Sequence, residues 1–344
     1  MNESMRRAIW ALALGSAFAF GTLATAQDEG AVEPAATDDE SAQEEPAVPV
    51  KARPAERARL AANSLLLGLA NSGKHLIAVG DRGNIVVSND GSNWAQVEVP
   101  VRATLTSVTF ADEQNGWAVG HDAVILNTAD GGKNWQMQNF APELEKPFLD
   151  VLFTDAQTGY AVGAYGLFMA TTDGGANWTE VEAPPIREEE LHFNAISRLQ
   201  NGDFFIVGET GMIGVSSDGK TWERLTAPYD GSLYEAIPKG EKGAVIFGLR
   251  GNAYSTDDVR SNQWTKIELG TVASFFGGTA LPSGDIALVG LSGEVAILKT
   301  DGSVKNTKIK ALAGVTGTGT LSAAIPWQGG VLTVGELGVS RVGL

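Results

Sequence analysis

Residues able to carry chemistry are few and scattered in this 344-residue chain. His75, His121 and His192 stand alone, without the H-x-H or H-E-x-x-H spacing that brings two imidazoles to one metal ion. Cysteine is absent, which removes thiolate metal sites, thiol nucleophiles, disulfides and a lipidated N-terminal cysteine. No G-x-S-x-G elbow and no G-x-x-x-x-G-K-[S/T] phosphate loop occurs. The carboxylate run Glu188-Glu189-Glu190 is contiguous and reads as a solvated loop rather than as a spaced acid/base pair. The sequence therefore points to no catalytic residue, no metal site and no cofactor.

An aspartate-centred turn recurs instead. Thr128-Ala-Asp130-Gly-Gly-Lys-Asn-Trp135 and Thr171-Thr-Asp173-Gly-Gly-Ala-Asn-Trp178 fit the Asp-box pattern [S/T]-x-D-x-G-x-x-W. Ser88 to Trp94, around Asp90, and Ser216 to Trp222, around Asp218, are one residue shorter, and the turns near Asp258 and Asp301 are degenerate. In such a turn the carboxylate accepts backbone N–H groups, glycine supplies positive φ and the indole packs between neighbouring sheets. These eight Asp and Trp positions are structural candidates. A calcium role is not favoured, because no D-x-D-x-D-G loop is present.

The elements that must carry these turns follow from a longer period. Short apolar strands end at Gly80, Gly120, Gly163, Gly208, Gly248, Gly290 and Gly335, at intervals of 40, 43, 45, 40, 42 and 45 residues. Each repeat holds β-branched or alternating runs separated by turn signals, as in Leu105–Phe110, Gly116–Gly120, Ala123–Asn127 and Trp135–Asn139. Four strands in about 42 residues is the spacing of a propeller blade. The expectation is an all-β, seven-bladed β-propeller over residues 48–344. Only nine residues follow Gly335, so the last blade needs its outer strand from elsewhere. Val48-Pro-Val-Lys-Ala52 echoes Val99-Pro-Val-Arg-Ala103 and is expected to close the ring as that strand.

Residues 1–26 combine Arg6-Arg7, an apolar run from Ala8 to Leu23 and Ala24-Thr-Ala26, the plan of a secretory signal cleaved after Ala26. The 16-residue run is shorter than the ~20 that span a bilayer. The expected location is therefore the periplasm or the exterior, with no direct membrane insertion after cleavage. Residues 27–47 carry eight acids, no base and no aromatic residue, the composition of a disordered linker. The full charge of −16 argues against nucleic acid as partner.

Repeated D-G-G-x-x-W turns following Val-Gly strands, behind an export signal, resemble the BNR-repeat family of photosystem II stability/assembly factors and their non-photosynthetic bacterial relatives. The resemblance implies a non-enzymatic propeller that assists a membrane complex, an RND-type transporter being one client of such relatives. This chain departs from cyanobacterial members in lacking a cysteine to lipidate and in being acidic. Turns between second and third strands, together with blade connections, share one face, opposite the Asp-boxes. On that face Arg82, Arg102, His121, Tyr165, Arg187, Tyr229 and Arg250 are the candidate partner-binding residues, since Tyr and Arg are enriched in protein recognition. The expected partner is a protein, a periplasmic domain of an inner-membrane complex or transporter. Asp-boxes also occur in sialidases, so a glycan-binding or sialidase-like glycoside hydrolase is the alternative. That chemistry needs an Arg-Ile-Pro string, whereas Pro184-Pro-Ile-Arg187 has the wrong order.

Overall fold

The computed structural model describes residues 50–309 and 318–343. The expected signal (1–26), the acidic segment (27–47) and Val48-Pro49 lie outside the described residues. Seven antiparallel sheets follow one another along the chain, six of four strands and one of three, each strand paired with its neighbour in sequence. Their first strands are Leu66–Asn71, Leu105–Phe110, Phe148–Phe153, Phe193–Arg198, Leu233–Lys239, Phe275–Ala280 and Leu321–Trp327. Each packs against the first strand of the next sheet, and the seventh against the first. The fold is a seven-bladed all-β propeller.

Both faces of every blade are covered by a neighbour, and this explains the unbroken apolar second strands such as Leu76–Gly80 and Gly116–Gly120, which are buried throughout. Side-chain alternation divides each strand between two interfaces. Leu76 and Ala78 join the core shared with blade seven, whereas Ile77 and Val79 join the core shared with blade two. The result is seven apolar cores, one per interface. Trp94, Trp135, Trp178 and Trp222 each pack into the core shared with the preceding blade.

The repeat-marking glycines are required by close approach. A Cβ at Gly80, Gly208 or Gly335 would lie 2.2, 2.1 or 2.0 Å from the carbonyl oxygen of Leu65, His192 or Thr320, the residue just before that blade's first strand. The other four markers meet the equivalent oxygen equally closely. The same carbonyl accepts the N–H of the residue after the glycine, as in Glu209 to His192 at 3.1 Å and Asp81 to Leu65 at 3.0 Å. The turn between second and third strands is thereby tied to its own blade's beginning in all seven repeats.

The expected closing strand is corrected. Blade seven has three strands, Leu321–Trp327, Gly330–Gly335 and Gly338–Gly343, and no described N-terminal residue pairs with it as a strand. Residues 50–59 run instead beside the outer edge of blade one. Ala55 N–H donates to Val99 O at 3.0 Å, and Gln96 Nε2 donates to Glu56 O at 3.0 Å. Ala52 and Ala55 pack against the core of blades one and two, and two exposed ion pairs flank them: Arg57 reaches Glu98 at 3.3 Å and Arg102 reaches Glu56 at 2.7 Å. The segment thus lies alongside the stretch it echoes, which continues from the short outer strand Ala95–Gln96. Only its continuation, the short 3-10 turn Ala61–Asn63, reaches blade seven, where Gly338 leaves room for the Ala62 carbonyl 2.0 Å from a Cβ position. Two further contacts fasten the ring: Ser322 Oγ donates to Leu66 O at 2.7 Å, and Arg341 Nη2 donates to Asp90 O at 3.1 Å.

Candidate partner-binding face

The turns tied down by the marker glycines form one rim of the ring. Their outermost residues, Arg82, Asp122, Tyr165, Thr210, Arg250 and Ser292, have φ of 57, 58, 54, 50, 55 and 56°. A side chain in this left-handed region costs about 1–2 kcal/mol, and glycine would avoid it. Glycine does hold the next position in most blades: Gly83, at φ 70°, would place a Cβ 2.1 Å from Val101 O. Side chains are therefore kept at the tip, where they face solvent, and excluded where the backbone is crowded.

The expected partner residues fall into two groups. Arg82, His121, Tyr165 and Arg250 sit on these turns. Arg82 is largely exposed, with only Asp81 Oδ2 at 3.4 Å, and Arg250 makes no ion pair among the described residues. The Tyr165 ring meets His192 edge-on at 4.8 Å. Arg102, Arg187 and Tyr229 lie in the blade connections and are already engaged. Arg102 pairs with Glu56, and the Tyr229 ring stacks on Tyr254 at 6.5 Å. Arg187 ends the single-turn helix Pro184–Arg187 and is a clamp: Nε donates to Gly166 O and Nη1 to Val181 O, both at 2.8 Å, while Nη2 pairs with Glu180.

The Asp-boxes occupy the opposite rim, with the expected local chemistry. Asp130 Oδ1 accepts the N–H groups of Lys133 and Asn134 at 3.0 Å each, Oδ2 accepts Asn134 Nδ2 at 2.7 Å, and Trp135 Nε1 donates to Gly132 O at 3.0 Å. The Asn177 side-chain and backbone N–H groups hold Asp173 down to about 2, and the Thr221 and Lys220 N–H groups do the same for Asp218. All four boxes have their carboxylate oxygens occupied by their own turn.

The central bore escaped the sequence reading. In every blade the register of first and second strands slips within the opening residues of the first strand. The residues at this bulge, Leu67, Thr106, Leu149, Asn194, Tyr234, Phe276 and Ser322, form a collar between a cavity of about 460 Å³ on the tip side and one of about 420 Å³ beneath it. Polar collar residues link neighbouring blades, as Asn194 Nδ2 does by donating to Leu233 O at 2.8 Å.

One residue deeper stand two carboxylates, half-buried in the wall and open to the bore. Asp150 accepts from Ser107 Oγ at 2.7 Å, its neighbour Val151 N–H at 2.8 Å and Ile196 N–H at 2.9 Å, tying blades two, three and four. Burial raises its pKa despite these bonds. Glu235 accepts the Gly278 N–H at 2.6 Å, and burial, with the Asp150 charge adding to it, pushes it up to about 8. An acid inside an otherwise apolar or small inner strand is the signal by which these two could have been found. Among the described residues no three His, Cys, Asp or Glu side chains form a metal-binding group, and no helix is long and apolar enough to cross a membrane.

Fold and rim together define the class: an Asp-box propeller with a rim of projecting side chains and a collared central bore. The sequence profile described as "Photosynthesis system II assembly factor YCF48" matches residues 86–147 and 138–309, and the chain belongs to this family. The photosystem II assembly protein Ycf48 of Thermosynechococcus vestitus is 31% identical over 217 residues, 62% of this chain and 61% of that one. The chain thus matches about three-fifths of that relative's length. A solved structure of YCF48 bound to D1 peptide superposes with a TM-score of 0.65 at 18% identity, covering 82% of this chain and 94% of that one. Virginiamycin B lyase from Staphylococcus aureus superposes with a TM-score of 0.70 at 12% identity, covering 82% and 96%. At such identities the likeness is one of fold alone.

Proposed function

We propose that this protein is a non-enzymatic binding factor that docks a polypeptide on the tip face and serves as an assembly or accessory factor for an envelope membrane complex. The observation that carries the reading is the set of six tips that hold a non-glycine side chain at positive φ. Strained positions of this kind cluster at binding sites, because the surrounding frame holds them. Membership of a family named for assembly, and a relative solved with a bound peptide, support the same class of action. The N-terminal sequence supports export, so the client we propose is a periplasmic domain of an inner-membrane complex, an RND-type transporter in particular. Arg82, His121, Tyr165 and Arg250 make the contact; Arg102, Arg187 and Tyr229 hold the loops around them. Crosslinked purification from membranes, wild type against Arg82→Ala/Tyr165→Ala/Arg250→Ala, tests it.

A further inference from the structure

We propose that the collar of the bore is a socket for a basic side chain of the docked polypeptide. This rests on the tip face being the docking face, because the collar opens there between Leu65, Thr320 and Glu336.

The wall of the socket combines apolar and aromatic side chains with Thr106, Asn194 and Ser322. Leu67, Leu149, Tyr234 and Phe276 line it, and the Tyr234 and Phe276 rings lie 5.0 Å apart, inclined at 47°. Directly below is Glu235, whose Oε2 takes the Gly278 N–H. Its Oε1 has no hydrogen-bond partner among the described residues, and the residue lines the bore. Asp150, by contrast, has both oxygens occupied. Arg198, which also lines the bore, is turned to its own blade: Nε donates to Gly202 O at 3.4 Å and the guanidinium lies 5.8 Å over the Phe204 ring. An acid with an open acceptor at the bore, below two aromatic rings, matches an organic cation: binding draws off the proton that burial keeps on Glu235 and leaves a carboxylate to take the ammonium hydrogen bond. Lysine and arginine add an aliphatic stem that Leu67, Leu149 and the two rings accommodate. Among the described residues no third His, Cys, Asp or Glu side chain joins the two carboxylates, which disfavours a metal ion here.

The test uses the full chain, ¹⁵N-labelled, with the Gly278 amide as reporter. Titration with n-butylammonium chloride and with acetyl-Gly-Gly-Lys-Gly-Gly-amide should shift this amide saturably, the peptide binding more tightly, while 1-butanol should not. Glu235→Gln, which keeps an acceptor for the Gly278 N–H, should weaken both by about tenfold or more. Should that variant fold poorly, Phe276→Leu should weaken both several-fold. Absence of a saturable shift, or equal binding by the variants, overturns the socket. Binding of butylammonium but not of the peptide overturns the assignment to a partner's side chain. Failure of the tip face is read separately: there the triple tip variant retains its partner even though Gly278 responds to the amine.

Discussion

The guanidinium of Arg187 donates to the carbonyl of Gly166 at 2.8 Å, which bolts the connection between blades three and four to the turn that presents Tyr165. Its other bonds run to Val181 O and Glu180, so one side chain joins the tip, the outer strand and the connection of blade three. Arg187 therefore shapes the tip face from behind.

Arg187→Ala should lower stability by about 1–3 kcal/mol, the range for charge-assisted hydrogen bonds in a partly buried site. Arg187→Lys should not restore it, since a single ammonium cannot serve three acceptors in fork geometry. Urea denaturation of the three proteins reads this directly.

Gly248→Ala would bring a methyl group 2.0 Å from the Ser232 carbonyl and should cost about 1–3 kcal/mol through overpacking. Gly343→Ala has nothing within 4 Å and no left-handed φ, and should stay within about 0.5 kcal/mol of wild type. Equal melting temperatures for the two variants would refute the close-approach account of the repeat.

The pH dependence of stability should carry the mark of Glu235. Its pKa rises from 4.5 in the unfolded chain to about 8 in the fold, so between these values the folded protein holds a proton that the unfolded chain has lost. Stability from this group is then greatest below about pH 4.5, falls as pH rises towards 8 and is flat beyond. Glu235→Gln removes the titration and retains an acceptor for Gly278. It should match wild type near pH 4.5 and exceed it by a few kcal/mol at pH 9.

The Asp-boxes give the opposite sign. Asp173 and Asp218, held at about 2 by turn N–H groups, stabilise the fold above their ordinary value of 3.8, and the contribution is lost as pH falls from there towards 2. Asp173→Asn should flatten the thermal melting profile in that acid window and leave it unchanged in shape at neutral pH.

The ring was legible in the sequence because its period is imposed by sterics. Only glycine fits against the carbonyls of Leu65, Thr104 and their equivalents, and each Asp-box tryptophan fills the interface with the preceding blade. Turn tips were legible for the same reason, being tethered one residue past each marker. The course of residues 50–59 was not. Similarity to Val99–Ala103 gave no way to tell a segment that replaces a strand from one that lies beside the echoed stretch, and the contacts that hold it there, Ala55 to Val99 and Gln96 to Glu56, are long-range. Asp150 and Glu235 are single acids brought to one bore by topology, with no spacing between them to read. Arg187 was legible as a loop residue but not as a clamp, because its three acceptors come from separate elements.

The decisive measurement is quantitative capture of the proposed membrane partner by the full chain after mild crosslinking, with melting temperatures taken in parallel. Arg82→Ala/Tyr165→Ala/Arg250→Ala should reduce capture by about tenfold or more at unchanged melting temperature. Lys133→Ala/Lys220→Ala, on the Asp-box rim, should capture as wild type does. Undiminished capture by the tip variant, or equal loss from both rims, would contradict docking on the tip face.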